Sequence, residues 1–266
     1  MAKIILIQPQ PAPRLDDPEN LARALKLLER CRGEKADIIC FPEYFPYQGD
    51  NELAQAARDL EAYIVAGLVA EEKGLRFNTA TLFDRQGNLV GRQTKHCVAR
   101  LERRAYGVTP GETYQTFPAD FGVLGLPVCI DFWGQPHAAR ELAAQGADLI
   151  LNPSIFPILK GHWRAGALVR AFDYYLPVVG VNTSGHAAEI GGRSYAMQAG
   201  GSFAIQPPAP ADDKEMSRLV RVWDHLDHWV ILEAGEEEAI LTLNLDLDGP
   251  RLWRPIVRER FGIRGE

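Results

Sequence analysis

Short apolar runs with no polar alternation, each followed by a helical pattern, recur from one end of this chain to the other. Residues 3–8 (Lys-Ile-Ile-Leu-Ile-Gln) form the first, dense in isoleucine, which suits a strand covered on both faces. Asp17-Pro18 then supplies a capping residue and a proline at the first helical position. Leu21, Leu25 and Leu28 share one helical face, and Gly33 follows its end. Residues 36–41 read as the next strand, closed by Pro42, with a helix over 52–61 and a strand over 63–69. Two strand-like pieces around Asp84-Arg-Gln-Gly87 read as a hairpin. Strand 121–129, helix 137–145, strand 148–152, helix 162–174 and strand 177–182 continue the pattern, and 202–205 and 239–246 are the last strands. Alternating βα units mixed with hairpins predict a layered α/β sandwich rather than a pure parallel sheet.

One internal echo points to two halves. Ala36-Asp-Ile-Ile-Cys-Phe-Pro-Glu-Tyr-Phe45 shares five of ten positions with Ala147-Asp-Leu-Ile-Leu-Asn-Pro-Ser-Ile-Phe156. The proline-rich stretch 206–214 is the only linker-like segment, and strand patterning resumes after it, so residues 1–266 are read as one domain. The tail, about 250–266, carries Leu252, Trp253, Ile256, Val257 and Phe261, and is expected to pack on the body or on a second subunit.

A net charge of −6 and a pI near 5.6 argue against nucleic acid or an anionic membrane surface as partner. No apolar stretch approaches the ~20 residues of a membrane helix, and the N-terminal run is too short for a signal peptide. Cys31, Cys40, Cys97 and Cys129 are scattered without a close pair, so neither a zinc site nor a disulfide framework is expected. The natural setting is the cytoplasm, with free thiols.

Three polar residues stand where buried strands end. Cys129 closes the run Phe121-Gly-Val-Leu-Gly-Leu-Pro-Val-Cys129, ahead of a polar turn and a helix. Glu43 follows strand 36–41 in Phe41-Pro-Glu-Tyr-Phe-Pro-Tyr47, where aromatic neighbours would desolvate its carboxylate, raise its pKa and suit it to general-base work. Lys95, in Gly91-Arg-Gln-Thr-Lys-His-Cys97, ends the hairpin; beside a thiolate its ammonium would stabilise that anion and later an oxyanion. A free thiol with a pKa of about 8.5 is only a few per cent thiolate at neutral pH, so a nucleophilic cysteine needs such neighbours. His96, His137, His162 and His186 carry no signature of a Cys–His pair.

Taken in order, Phe-Pro-Glu43, Lys95 and Val-Cys129-Ile-Asp131 resemble the nitrilase, or carbon–nitrogen hydrolase, superfamily with its Glu-Lys-Cys triad, and the resemblance covers nearly the whole chain. It extends through 140–154, His162-Trp-Arg-Ala165, 177–185, Gly200-Gly-Ser202 and the closing strand 240–246. The resemblance implies an αββα four-layer sandwich and a small-molecule amide cleaved through a Cys129 thioester. Glu43 would be the base, Lys95 and the Ile130 backbone N–H would hold the oxyanion, and Glu102 would be the second glutamate, with Glu112 as its rival. Tyr47, Trp133 and Ser154 are the candidate substrate-contacting residues, and no cofactor or metal is implied.

The segment Asp131-Phe-Trp-Gly-Gln-Pro-His137 lacks the arginine and the proline–glutamate that many amide-cleaving members carry after the cysteine, which points towards a less charged amide in an aromatic-lined pocket. Cys-Ile-Asp in place of Cys-Trp-Glu favours amide over nitrile hydrolysis; nitrile and carbamoyl-amide hydrolysis are the alternatives with the same triad. A membrane-embedded acyltransferase would need spanning helices, and a fused glutaminase module a second domain; ammonia transfer to a separate chain stays open. A catalytically silent binding protein would be expected to have lost a triad residue. The superfamily and the apolar tail lead to an expected homodimer or higher homo-oligomer.

Overall fold

The structure, a computed structural model, describes residues 1–155, 160–190, 192–197, 199–220 and 226–260. The first half contains β1 (Ala2–Gln8), α1 (Glu19–Arg30), β2 (Ile38–Cys40), β3 (Pro46–Tyr47), α2 (Asp50–Leu60), β4 (Tyr63–Glu72), β5 (Leu75–Phe83) and β6 (Leu89–Thr94). The second contains α3 (Arg100–Tyr106), β7 (Thr116–Ala119), β8 (Gly122–Gly125), α4 (Ile130–Trp133), α5 (Pro136–Ala144), β9 (Leu149–Pro153), α6 (Lys160–Tyr174) and β10 (Val178–Val181). A hairpin of β11 (His186–Ile190) and β12 (Arg193–Met197), then β13 (Phe203–Ile205), α7 (Asp213–Val220), a single 3-10 turn (Leu226–Trp229), β14 (Val230–Glu233), β15 (Ala239–Leu245) and α8 (Asp248–Arg260) complete the described elements.

Two sheets result. The first has the order β15-β1-β2-β4-β5-β6, with β3 paired to β4; the second has the order β14-β13-β10-β9-β8-β7. Their centres are parallel, β1 with β2 and β2 with β4 in one, β8 with β9 and β9 with β10 in the other. Strand periodicity sorts the side chains. Ala2, Ile4, Leu6, Val65 and Leu82 join the core shared with Leu149, Val179 and Phe203 of the second sheet. Ile5, Ile7, Ile39 and Ile64 point the other way, onto Leu27 and Leu28 of α1 and Leu53 and Ala57 of α2. On the second sheet α6 packs with Trp163 tilted against Phe203, ring centroids 4.6 Å apart. The layers run helix, sheet, sheet, helix: the αββα sandwich expected from the sequence.

The expected hairpin is β5–β6, its turn held by Asp84 Oδ1, which accepts from the Gln86 and Asn88 N–H groups. The strand expected over 121–129 is shorter. It ends at Gly125, and Phe121 lies in the turn of a β7–β8 hairpin that apolar patterning did not reveal. Pro127, which has no N–H to donate to a ladder, follows the break. In the tail, α8 buries Trp253 and Val257 in the interlayer core, and Trp253 Nε1 donates to the Pro210 carbonyl at 2.8 Å. Phe261 lies outside the described residues. Among the described residues no helix is long and apolar enough to cross a membrane.

Candidate active site

The site sits beyond the carboxyl ends of the parallel strands, where α/β folds place ligands because strand ends there diverge into loops. Glu43 leaves β2 after Pro42, and its loop crosses β4 at Gly67. Any Cβ at Gly67 would collide with the backbone of Pro42, Glu43 and Tyr44, so only glycine lets the loop lie this close. Cys129 caps the short α4 with φ 53° and ψ −122°, a sharp turn that a non-glycine residue adopts only when its surroundings hold it there. Those surroundings are specific. The Cys129 N–H donates to the Pro153 carbonyl at 2.8 Å, and Asn152 Nδ2 donates to the Pro127 and Cys129 carbonyls at 2.7 and 3.2 Å. Trp163 Nε1 in turn donates to Asn152 Oδ1 at 2.7 Å.

Glu43, Lys95, Cys129 and Glu102 come together on the wall of one cavity of about 660 Å³. Lys95 Nζ donates to Glu43 Oε1 at 2.7 Å and to Glu102 Oε1 and Oε2 at 3.0 and 2.9 Å. Glu102 is the third residue of α3, and its Oε2 reaches back to the Ala99 N–H at 2.8 Å, as an acidic residue in a first helical turn does. Its Oε1 also accepts from the Tyr44 hydroxyl at 2.8 Å. Glu112, the rival, is exposed on the wall of a different depression beside Pro110 and Gln115.

Buried charges are retained only when paired and bonded, and this cluster is both. Burial pushes the Glu43 carboxyl above its ordinary value, with Lys95 pulling the other way. Burial also works against the Lys95 ammonium, but Glu43, Cys129 and Glu102 outweigh it and hold the lysine charged well above its usual range. Burial first, and the Glu43 charge second, push the Cys129 thiol well up. The arrangement therefore holds a neutral thiol beside a carboxylate and a fixed cation, suited to proton removal during attack rather than to a standing thiolate.

Several contacts had no marker in the sequence. The Ile155 N–H donates to Glu43 Oε2 at 3.0 Å, joining the loop after β9 to the loop after β2. Asn78 of β5 donates to both Glu43 and Glu102. Asp131, two residues past the cysteine, accepts the His96 and Cys97 N–H groups at 2.8 and 2.7 Å and so ties the segment after Lys95 to α4. A carboxylate with 0% exposure at that place is the one signal that could have marked it, had burial been known.

None of the three candidate substrate-contacting residues lines this cavity. Tyr47 lies in the neighbouring depression, its hydroxyl accepting from Arg76 Nη2 at 2.8 Å. Ser154 is fully buried and donates to Asn152, while the next residue, Ile155, faces the cavity, as alternation along an extended segment requires. Trp133 packs its Cβ over the Gly166 position of α6 instead. The lining comes from Leu15, Tyr44, Val98, Leu101, Tyr106 and Ile130, with Arg103 the exposed cation among the described wall residues. His96 also lines the cavity, its ring stacked on Tyr114 with centroids 3.8 Å apart.

The chain matches the family described as carbon–nitrogen hydrolase over residues 3–214, and it belongs to that family. Among its relatives is the omega-amidase NIT2 of Xenopus tropicalis, 23% identical over 92% of this chain and 88% of that protein. Solved structures of the same fold include a carbon–nitrogen hydrolase from Helicobacter pylori G27, 20% identical, with a TM-score of 0.77 over 98% of this chain and 93% of that one. Another is a mutant amidase from Nesterenkonia sp. AN1 with the acetamide moiety of fluoroacetamide added covalently at its active-site cysteine (22% identity, TM-score 0.75, covering 98% and 97%).

Proposed function

We propose that this chain hydrolyses a small amide to a carboxylate and ammonia or an amine, with Cys129 as nucleophile, Glu43 as base, Lys95 as electrostatic stabiliser and Glu102 as the residue that holds the lysine. The observation that carries the reading is the Lys95 ammonium clamped between two buried carboxylates on the wall of the cavity that Cys129 also lines. As the Cys129 sulfur attacks the amide carbon, Glu43 takes the thiol proton and the carbonyl oxygen becomes an oxyanion. Lys95 and the Ile130 N–H, which has no acceptor within the first turn of α4, stabilise that charge. Collapse breaks the C–N bond as Glu43 returns the proton to the leaving nitrogen, giving a thioester. Glu43 then deprotonates water, which attacks the thioester; the carboxylate leaves and the thiol is restored.

Apolar walls and the lack of an arginine after the cysteine favour an uncharged acyl group over a dicarboxylic monoamide. The test is ammonia release across aliphatic amides, ω-amides, carbamoyl compounds and nitriles, with mass spectrometry for acylated Cys129. Turnover of uncharged amides with a transient adduct is expected; an adduct that never turns over would replace hydrolysis by transfer or binding. The omega-amidase relatives make ω-amides the strongest competing class in that panel.

Glu102→Gln is expected to lower kcat by about tenfold or more, since a charge-assisted hydrogen bond to Lys95 is weakened, while soluble expression is kept. Unchanged kinetics would remove Glu102 from the machinery. The protein is further read as a cytoplasmic homo-oligomer. Leu252 and Ile256, one turn apart on α8, are 68% and 39% exposed and form the apolar face a second copy would cover. Leu252→Glu with Ile256→Glu is expected to reduce the mass seen by light scattering; an unchanged mass would take α8 out of the interface.

A further inference from the structure

We infer that Asn78 is a positioning residue of this site, one that commits Glu43 Oε2 as the oxygen exchanging a proton with Cys129. The inference rests on the reading of Cys129 as nucleophile and Glu43 as its base. Residues 78, 80 and 82 of β5 share one face of the sheet, and Ala80 and Leu82 are fully buried in the interlayer core. Strand periodicity therefore calls for an apolar residue at 78. An asparagine with 0% exposure stands there instead.

Its bonds explain the choice. The Asn78 carbonyl accepts the Lys95 N–H at 2.9 Å, and its Nδ2 donates to Glu43 Oε1 at 2.7 Å and to Glu102 Oε1 at 3.2 Å. One residue thus touches all three charged members of the cluster. Ionised carboxylates only accept, so the NH₂ side of the amide must be the one facing them. Asn78 Oδ1 has no hydrogen-bond partner among the described residues. A side chain placed only to fill space would not leave a buried acceptor orphaned, because such an atom loses its hydration without compensation.

The two carboxylate oxygens of Glu43 are thereby made unequal. Oε1 holds two donors, Lys95 Nζ and Asn78 Nδ2, each at 2.7 Å. Oε2 takes the Ile155 N–H and is the oxygen with capacity left for the Cys129 proton. Asn78 also bridges two like charges, the Glu43 and Glu102 carboxylates. Removing its donor leaves the Glu43 carboxylate less well solvated as an anion, so Glu43 binds a proton more readily.

The test compares wild type with Asn78→Ala and with the isosteric Asn78→Asp, reading steady-state kinetics and the rate of Cys129 alkylation by iodoacetamide across pH. Asn78→Ala is expected to lower kcat about tenfold to a hundredfold, the loss of a hydrogen bond to a charged group. KM should change less than about threefold, because Asn78 does not line the cavity. The acid limb of both profiles should move up by about one pH unit, since a hydrogen bond to its charged form had held the Glu43 carboxyl lower than burial alone would. Asn78→Asp, which adds a third carboxylate, should move it further, and it carries the comparison alone if the alanine variant does not fold. Acid limbs at the wild-type position, with loss confined to thermal stability or to KM, would overturn the inference. Alkylation needs no substrate, so a wild-type chain that releases no ammonia from any amide would defeat the hydrolase reading while still leaving Asn78 decided by the alkylation profiles.

Discussion

Cys129→Ala is expected to abolish amide hydrolysis, with kcat falling by at least about 10⁴-fold, because removal of a nucleophile takes with it nearly all that its base and cation contribute. The fold should survive. The side chain is small and 6% exposed, the bonds of its backbone to the Pro153 carbonyl, the Phe132 N–H and the Asn152 side chain do not involve the thiol, and alanine keeps the Cβ. A melting temperature within a few degrees of wild type, together with undetectable ammonia release, is the expected pair of results. Near wild-type turnover in this variant on a confirmed substrate would refute the thioester mechanism outright.

Lys95→Met is expected to damage both chemistry and stability. Without the ammonium, Glu43 and Glu102 become two buried carboxylates facing each other, and breaking such a pair typically costs about 3–5 kcal/mol. The sign of the pH dependence follows from linkage. Glu43 already sits above its ordinary carboxyl value through burial, and loss of Lys95, which pulls it down, raises it further. A carboxyl whose folded-state pKa exceeds its unfolded value binds its proton more tightly when folded. Its contribution to stability is therefore present at low pH and lost as pH rises through the folded pKa. The variant should melt higher near about pH 5 than near about pH 8, and by a wider margin than wild type. Thermal melts across that range, paired with kcat, check it; a variant equally stable at both ends would mean that the two carboxylates are not the buried charges in question.

Much of the fold was legible because its strands are short, apolar and buried on both sides. Residues 3–8 anticipated β1 almost to the residue, since isoleucines on both faces meet a helix layer on one side and a sheet on the other. Elements that draw their burial from distant partners were not legible. β7 pairs β8 through Thr116–Ala119, a stretch with too little apolar content to declare itself, and α3 has only Glu102 fully within its buried side. Which residues face the cavity was not legible either. Proximity to the triad in motif order named Tyr47, Trp133 and Ser154, and packing places all three off the cavity wall; at Ser154 a change of one residue in an extended segment reverses the face presented, and Ile155 lines the cavity instead.

The echo between 36–45 and 147–156 shows where the division falls. Both segments form interior strands, β2 in one sheet and β9 in the other, and each runs into a proline, Pro42 just past β2 and Pro153 at the end of β9, beyond which Glu43 and Ile155 reach the site. The sequence alone determined the chemistry on offer, a carboxylate at Glu43, a thiol at Cys129 and an ammonium at Lys95, because residue type and strand-end position are local properties. Only the packing of the two sheets decided that the Ile155 N–H would meet Glu43 Oε2, that Asn78 would reach both glutamates, and that Glu102 rather than Glu112 would meet the lysine. Those contacts join residues 24 to 112 positions apart, or, for Lys95 and Glu102, depend on how α3 turns its first residues inward. Donor–acceptor distances of that kind are set by three-dimensional closure of the sandwich, which no local pattern encodes.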